Sequence, residues 1–170
     1  MNPSNISIHI EKAIIRVAPN GLPASIIDVS ANEVIKPAER FELVLDGQAV
    51  MDHRTGLMWW NDESDKLDWD KADLFCKSIT VGGFSDWFMP SDEQMLTIVD
   101  RKLHNPCLPS IFKTHGEYVW TSTQTKWTEG EAGDSRSFWS VYLLNGYVYD
   151  LSAYGEFRAR PVRVAAPAGQ

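Results

Sequence analysis

The residues of this chain that best suit a chemical role lie in its last third, and the chemistry they indicate is binding. Tyr147 and Tyr149 alternate with Val148, so a strand through this segment places both rings on one side. Trp127 lies in a polar stretch, 123–135, where a large ring has little use except as a lid or a contact. The predicted ligand-binding residues are Trp127, Asp134, Arg136, Tyr147, Tyr149, Asp150, Tyr154 and Phe157.

Such a set suits two kinds of ligand. Aromatic faces with a few polar neighbours stack on sugar rings or pack against a protein epitope. The competing interpretation is that Tyr147 and Tyr149 only cover the core of a small sheet, and the sequence leaves that choice open.

Catalytic chemistry has little support beside this binding prediction. The four histidines are scattered and lack zinc-protease spacing, and no nucleophile-elbow or phosphate-loop motif is present. Acidic residues such as Glu129 and Glu131 fall in a loop, where carboxylates are usually just solvated. Cys76 and Cys107 are too few for a zinc site or a disulfide scaffold. We favour free thiols, with a bridge left open, and we expect no enzyme, no metal and no cofactor.

Composition and charge narrow the class of protein further. The 170 residues suit one domain with a small appendage. A formal net charge of -7 repels nucleic acid, and no apolar run reaches the roughly 20 residues of a membrane helix. The first residues lack the basic and apolar regions of a secretory signal, so we expect synthesis in a cytoplasm and no membrane insertion.

The periodicity of apolar residues predicts the elements that hold these side chains. Residues 67–79 are predicted as a helix, with Asp68 as N-cap and Gly82-Gly83 at its end. A second helix begins after Ser91, with an apolar stripe that continues to Leu103. The predicted strands of the later chain are 41–45, 48–52, 57–60, 118–123, 137–144, 146–152 and 157–164.

The chain divides by pattern into three parts. Residues 1–47 form a β-rich N-terminal segment that is too short to bury a core alone, so it should dock on the rest of the chain or on a neighbouring subunit. Residues 48–164 are the main domain, and 165–170 are a tail. A hairpin, two helices and an antiparallel meander with a turn at Asn145-Gly146 predict an α+β fold.

Five motifs in this order carry a resemblance to a known family. They are Asp52-x-x-Thr55-Gly56-Leu57-Met58-Trp59, Leu67-x-Trp69-x-x-Ala72 with Cys76, Gly82 to Ser91, Trp120 to Thr123, and Arg160 to Arg163. Over about 48–164 the chain resembles the Lcl C-terminal domain family, named for the C-terminal domain of a bacterial collagen-like adhesin.

The resemblance implies a C-type-lectin-like fold and adhesion to surface glycans or proteins. Such domains occur in bacterial surface proteins and in bacteriophage structural proteins. Phe88 stands where the family usually has Arg, so any salt bridge of that Arg is absent here. Asp86 is expected to accept backbone hydrogen bonds, and Trp87 and Trp120 to fill the core. The structural motif residues are Asp52, Thr55, Gly56, Trp59, Gly83, Asp86, Trp87, Pro90, Trp120, Arg160 and Arg163.

One further triplet, Trp60-Asn61-Asp62, resembles a calcium-ligand motif of sugar-binding C-type lectins. There the triplet lies on a late strand, whereas here it follows the first hairpin. Calcium needs six to eight oxygen ligands, and the nearby carboxylates are better explained as a solvated acidic loop. The motif therefore does not change the prediction of no metal.

The function predicted from these observations is a non-enzymatic binding or adhesion module. The favoured setting is a phage virion or tail, where the domain faces a receptor or a neighbouring virion protein and residues 1–47 attach and self-associate. The alternatives are a bacterial glycan-binding adhesin exported by a non-Sec route, in the cytoplasm or at the cell surface, and a structural decoration protein without a ligand.

Overall fold

The computed structural model describes residues 39–130 and 135–165. They contain both helices and antiparallel strands, as the predicted α+β class requires. The elements are β1 Phe41–Val44, β2 Ala49–Asp52, β3 Leu57–Trp60, α1 Trp69–Ser78, α2 Asp92–Leu96, β4 Tyr118–Gln124, a 3-10 helix Lys126–Thr128, β5 Ser137–Tyr142, β6 Tyr147–Ser152 and β7 Val162–Val164. The predicted strands within 1–38, the predicted contact Asp134 and most of the tail lie outside the described residues.

Two antiparallel sheets organise the described chain. The first has the strand order β1-β2-β3-β7, and the second has the order β4-β5-β6. In the first sheet Trp59 pairs with Val162, so the end of the domain returns to its opening hairpin. The edge strand β1 comes from the last part of the predicted N-terminal segment, and Phe41 pairs with Asp52.

The helix caps predicted from the sequence are confirmed. Asp68 accepts a hydrogen bond from the backbone N–H of Lys71 at 3.0 Å, which satisfies one of the free donors at the start of α1. Ser91 and Gln94 form a reciprocal capping box at the start of α2.

The predicted extent of the second helix is wrong. α2 ends at Leu96, although Ile98 is still buried, and Leu103 lies 40 % exposed beyond it. The chain turns away because the backbone N–H of Asp100 donates to the carbonyl of Cys107 at 2.8 Å instead of continuing a helix. Tertiary hydrogen bonding therefore outweighs the helical spacing of the apolar residues.

The predicted role of Gly82-Gly83 as the end of the first helix is also wrong. α1 ends at Ser78, and Ile79 is already extended. The two glycines have φ values of 59° and 82° and make a tight turn in which Val81 bridges Phe84. Two successive positive φ values match the turn type that best joins antiparallel strands. A Cβ atom on Gly82 would also lie 2.4 Å from Cδ1 of Leu45.

The late strands are shorter than the sequence predicts. β5 ends at Tyr142 because Leu143 is buried and bonds elsewhere: its N–H donates to Glu117 and its carbonyl accepts from Cys107. The hairpin to β6 therefore has a four-residue connection, 143–146, rather than a two-residue Asn145-Gly146 turn. Of the predicted strand 157–164, only β7 is regular, while Phe157 and Arg158 make isolated bridges.

The core holds the two sheets in place. The largest cluster joins residues of β2, β3 and β7 to residues of β4 and β5, among them Trp59, Val119 and Val141. A second cluster packs α1, through Ala72 and Cys76, against Trp120 of β4. Cys76 and Cys107 are both free and buried. The two clusters therefore pack β4 and β5 of the second sheet against the first sheet and α1. The Tyr147 end of β6 remains exposed.

Candidate binding surface

A buried ion pair fixes the segment that leads into β4. Arg160 Nη2 donates to Glu63 Oε1 at 2.8 Å, and both side chains are fully buried. Glu63 also accepts from Thr114 Oγ1 at 2.6 Å and from the N–H of His115 at 3.1 Å. The attraction between the two charges and the further hydrogen bonds of Glu63 and of Arg160 Nη1, which donates to the carbonyl of Trp60, offset the cost of burial, while Arg160 Nε is buried without a partner. The pair therefore anchors 113–115, immediately before the first strand of the second sheet.

A second carboxylate, Asp52, is held in the first sheet. Arg40 donates to it from Nε at 3.0 Å and from Nη2 at 2.8 Å, and Thr55 Oγ1 donates at 2.9 Å. Burial raises the pKa of Asp52, but the hydrogen bonds from Arg40, Thr55 and the Arg54 N–H outweigh it, so the net shift is downward. Asp52 thus stays ionised and ties β2 to the start of β1.

A third carboxylate, Asp86, does not have the partner that the sequence suggests. Instead of mainly backbone N–H groups, it accepts two hydrogen bonds from Arg163, at 2.7 Å from Nε and 3.0 Å from Nη2. The guanidinium also lies over the ring of Phe84, 3.9 Å from the ring centre. The hydrogen bonds from Arg163 lower the pKa of Asp86.

The remaining structural motif residues also support the scaffold. Trp59, Trp87 and Trp120 are buried, as predicted for the last two. The indole N–H of Trp120 donates to the carbonyl of Leu67, and the carbonyl of Pro90 accepts from Ser122. The other two motif positions lie in turns: Gly56 with a φ of 71°, and Gly83 as described above.

Phe88, the position at which the resemblance implies an Arg, has a packing role in this chain. Its side chain is half-buried and packs against the largest core cluster. Its backbone exchanges hydrogen bonds with Val162 at 2.8 and 2.9 Å. An apolar side chain therefore fits this site in the present fold.

Four tyrosines and a phenylalanine gather on one face of the second sheet. Tyr118 pairs with Tyr142, Tyr142 pairs with Tyr147, and Tyr149 is two residues further along β6. Alternate residues of a strand share a face, so these side chains lie together. We call the group Tyr118, Tyr142, Tyr147, Tyr149 and Phe157 the tyrosine face.

The rings of the tyrosine face contact one another. Tyr118 is stacked on Tyr142 with centroids 4.3 Å apart, meets Tyr149 edge-on at 5.5 Å and meets Phe157 at 5.4 Å and 55°. Towards the hairpin the rings come into solvent: Tyr149 is 37 % exposed and Tyr147 is 62 % exposed. The surface is thus aromatic, preorganised and open at one end.

A pocket of about 250 Å³ opens beside the tyrosine face. Its wall combines three aromatic and three charged residues. Glu117 accepts from Lys66 at 3.1 Å and from Arg158 at 2.9 Å, and these bonds lower its pKa. Burial and the neighbouring tyrosines raise the pKa of Tyr118, so its hydroxyl stays protonated. The lining residues are Lys66, Glu117, Tyr118, Tyr142, Glu156 and Phe157.

The predicted ligand-binding residues are divided by the fold. Tyr147, Tyr149 and Phe157 come together on the tyrosine face. Asp150 follows Tyr149 in β6, so its side chain lies on the opposite face of the sheet, where its partner is Trp139. Trp127 is 63 % exposed and meets the ring of Trp139 edge-on at 5.4 Å, which makes a separate aromatic patch.

Arg136 and Tyr154 lie elsewhere again. Arg136 donates two hydrogen bonds to Asp70, at 3.0 and 2.6 Å, and its guanidinium lies near the stacked rings of Trp69 and Phe138. This contact joins α1 to β5. Tyr154 is largely exposed in the turn after β6.

The sequence did not predict five of the residues that line the pocket: Lys66, Glu117, Tyr118, Tyr142 and Glu156. The alternation around Tyr118 and Tyr142 marks them as members of strands, but only the register of β4, β5 and β6 brings them to Tyr147. Lys66 and Glu156 lie in loops that are far apart in the sequence. No local sequence pattern predicts that both line the same pocket.

Two carboxylates of the acidic stretch after β3 have internal partners, whereas Asp62 and Asp65 are exposed. Glu63 pairs with Arg160, and Asp68 caps α1. Asn61 accepts from the N–H of Lys113 and donates to the carbonyl of Gly47. Within 39–130 and 135–165, no group of three metal-type side chains is found.

The described chain is thus an α+β scaffold with internally paired carboxylates, an aromatic surface and an adjoining pocket. Over residues 48–163 the chain matches the family model of the Lcl C-terminal domain, and it belongs to that family. Membership indicates an adhesin-like binding module. No curated protein matches the chain. Among the described residues, no helix is long and apolar enough to cross a membrane.

Proposed function

We propose that this protein is a non-enzymatic adhesion module of the C-type-lectin-like kind, and that the tyrosine face is its contact surface. The observation that carries the proposal is the packing of five rings on one face of the second sheet, with Tyr147 62 % exposed. Tyrosine supplies a large amphipathic contact area at a low cost in conformational entropy, so it is frequent where proteins meet ligands.

The chemistry of the buried reactive groups supports a role without catalysis. Burial raises the pKa of the Cys76 thiol to about 12, and burial also raises the pKa of Cys107. A thiol that stays protonated is a poor nucleophile. The buried carboxylates Glu63 and Asp52 are occupied by arginines, so neither is placed to serve as a general base.

The proposal is tested by adhesion of the labelled full chain to a glycan array and to bacterial cells. The double variant Tyr147→Ala with Tyr149→Ala should lose at least about tenfold in affinity, because each central aromatic contact is worth about 1–2 kcal/mol. Leu74→Ala is the matched control, since Leu74 is 66 % exposed on α1 and outside the tyrosine face.

Each outcome of this test has a definite meaning. Loss of adhesion in Trp127→Ala but not in the double tyrosine variant would move the contact surface to the patch of Trp127 and Trp139. Absence of adhesion to every glycan and cell type would contradict the adhesion role and favour a structural decoration protein.

The proposed setting is a phage virion or tail, in which residues 1–47 attach the domain and associate with other copies. Its support is that 47 residues precede the family match, and that Ile6, Ile8 and Ile10 among them alternate with polar residues as in a strand. A bacterial adhesin exported by a non-Sec route is the alternative.

The self-association is tested by light scattering of the full chain and of a chain that lacks 1–35. The cut is placed at 35, where the compact unit 36–170 begins, because a cut at 47 would remove β1 and the Arg40 that holds Asp52. A full chain that is an oligomer and a folded, monomeric truncation are expected. If both are monomers, the self-association role of this segment is wrong.

A further inference from the structure

We infer that the pocket beside the tyrosine face binds a single uncharged pyranose unit, such as the terminal sugar of a surface glycan. The inference rests on the proposed adhesion function and names the ligand class for it. The argument uses the size of the pocket, the angle between its aromatic walls, its charge balance and its hydrogen-bonding groups.

The size of the pocket suits one small ring. At about 250 Å³ it lies just below the roughly 300–1,000 Å³ of sites that enclose drug-sized ligands. A longer oligosaccharide would have to continue out of the pocket, and the exposed ring of Tyr147 lies on the same face, beside Tyr142. One sugar unit inside and the rest of the chain across the tyrosine face is the arrangement that this shape allows.

The aromatic walls form a corner rather than a slot. Tyr118 and Tyr142 are already stacked on each other, and Phe157 meets Tyr118 at 55°. Two parallel walls with a gap between them would cover both faces of a flat aromatic ligand, and this corner does not provide them. A corner instead offers ring surface to the apolar C–H face of a puckered sugar ring.

Gly155 allows the position of the Phe157 wall. A Cβ atom at residue 155 would lie 2.3 Å from Cε2 of the Phe157 ring. Any side chain at this position therefore displaces the ring, which makes Gly155→Ala a specific way to move one wall without removing it.

The charges around the pocket balance. Lys66 and Arg158 are cationic, and Glu117 and Glu156 are anionic. The Glu117 carboxylate is bonded to both cations, one at each oxygen. The four charges sum to zero, so the pocket carries no net charge that would attract an ionic ligand, and the chain as a whole, at -7, repels acidic polysaccharides.

The polar groups of the pocket match hydroxyls, which both donate and accept. Lys66 has donors beyond its bond to Glu117, and the exposed Glu156 carboxylate is an acceptor. The tyrosine hydroxyls of Tyr118 and Tyr142 can act either way. A neutral sugar is the ligand class that combines an apolar face with several such hydroxyls at its rim.

The experiment combines saturation-transfer NMR, which detects the bound ligand, with amide proton–nitrogen spectra of the labelled full chain, and the ligands are the methyl glycosides of glucose, galactose, mannose and N-acetylglucosamine. Glucuronic acid and glucosamine are the anionic and cationic comparisons. At least one neutral glycoside should bind with a Kd of about 1–10 mM, and its amide shift changes should centre on Glu117, Tyr118 and Phe157.

Variants then separate the pocket from the rest of the surface. Tyr142→Ala should weaken that binding at least about tenfold, and Leu74→Ala should leave it unchanged. Because Tyr142 is half-buried, Glu156→Ala and Gly155→Ala at the rim give second tests, each with an expected loss of at least about threefold.

The inference is overturned if no neutral glycoside binds, if a charged sugar binds better, or if the shift changes centre on Trp127. If the full chain still adheres to the array or to cells in any of these cases, the adhesion function stands and only the ligand class is wrong. If adhesion is absent as well, the proposed function itself fails.

Discussion

Both sheets of this protein contain aromatic side chains, but those of the first sheet make internal contacts whereas several of the second sheet are exposed. In the first sheet and its surroundings, aromatic and charged side chains contact one another: Asp52 holds Arg40, Arg163 covers Phe84, and Trp59 is buried. In the second sheet, rings of the same kind run from the core to the surface, from buried Trp120 to Tyr147 in solvent.

The residues that identify the family are therefore different from the residues that are exposed for contact with another molecule. The residues that mark the chain as an Lcl C-terminal domain are mostly those that make turns, caps and internal ion pairs. The residues free to contact another molecule lie mainly outside those motifs, on β5, β6 and the neighbouring loops.

The largest effect is expected from the buried ion pair of the scaffold. Glu63→Ala leaves Arg160 charged, buried and without its carboxylate, and the free energy of unfolding should fall by about 3–5 kcal/mol. Urea denaturation measures this change. The control is Glu129→Ala, which removes an exposed partner of Lys126 and should cost less than about 1 kcal/mol. Equal losses in both variants would contradict a structural role for burial.

Acid should weaken the scaffold through its carboxylates. The folded-state pKa values of Asp52, Asp86 and Glu117 lie below their usual values. The unfolded chain therefore binds protons first, and the stabilisation present above about pH 4 is lost as pH falls through the folded pKa values.

The measurement is the urea midpoint between neutral pH and about pH 2.5. Asp52→Asn should lower the midpoint at neutral pH and make its fall in acid less steep, because one of the shifted groups no longer titrates. An unchanged acid slope would show that Asp52 does not contribute to it.

A smaller effect is expected at the exposed ion pair of the same sheet. Asp86 and Arg163 form a two-bond contact, but Asp86 is 60 % exposed, so solvent screens the attraction. Asp86→Asn should cost about 1 kcal/mol or less in thermal or urea unfolding, far below Glu63→Ala. A loss as large as that of Glu63→Ala would mean that geometry rather than burial decides the strength of these pairs.

The smallest effect on stability is expected at the exposed end of the second sheet. Tyr147→Ala should change the free energy of unfolding by no more than about 0.5 kcal/mol while it weakens adhesion. Trp120→Ala, on the same face but buried, should cost about 3–5 kcal/mol. Thermal unfolding of the two variants measures both changes. A large loss of stability in Tyr147→Ala would show that this ring contributes to the core rather than to a contact surface.

The sequence predicted the presence of most helices and strands of the described chain, but it predicted fewer of the residues at which they end. Local rules worked where the cause is local: Asp68 and Ser91 cap helices because their side chains reach N–H groups within three residues. They failed where the cause is distant. α2 stops early because Asp100 bonds to Cys107, and β5 stops at Tyr142 because Leu143 bonds to Glu117 and Cys107.

The candidate surface was predicted in part, for a similar reason. Alternation along one strand places Tyr147 and Tyr149 on the same side, and this was visible in the sequence. The distance between Trp127 and those tyrosines was not visible, and neither was the use of Arg136 to bind Asp70. The fold divides the predicted residues among the tyrosine face, the patch of Trp127 and Trp139, and the contact of Arg136 with Asp70.

By itself, the sequence determined the mixed α+β class, the helix caps, the family and the alternation of the tyrosines, because each depends on residues close together in the chain or on motifs in a fixed order. Only the tertiary structure decided which strands are neighbours, where each strand ends, and that Lys66, Glu117 and Glu156 share a pocket with Tyr118 and Tyr142. Strand register and loop contacts join residues far apart in sequence, and the free energy that selects them comes from packing of the whole core rather than from any local segment.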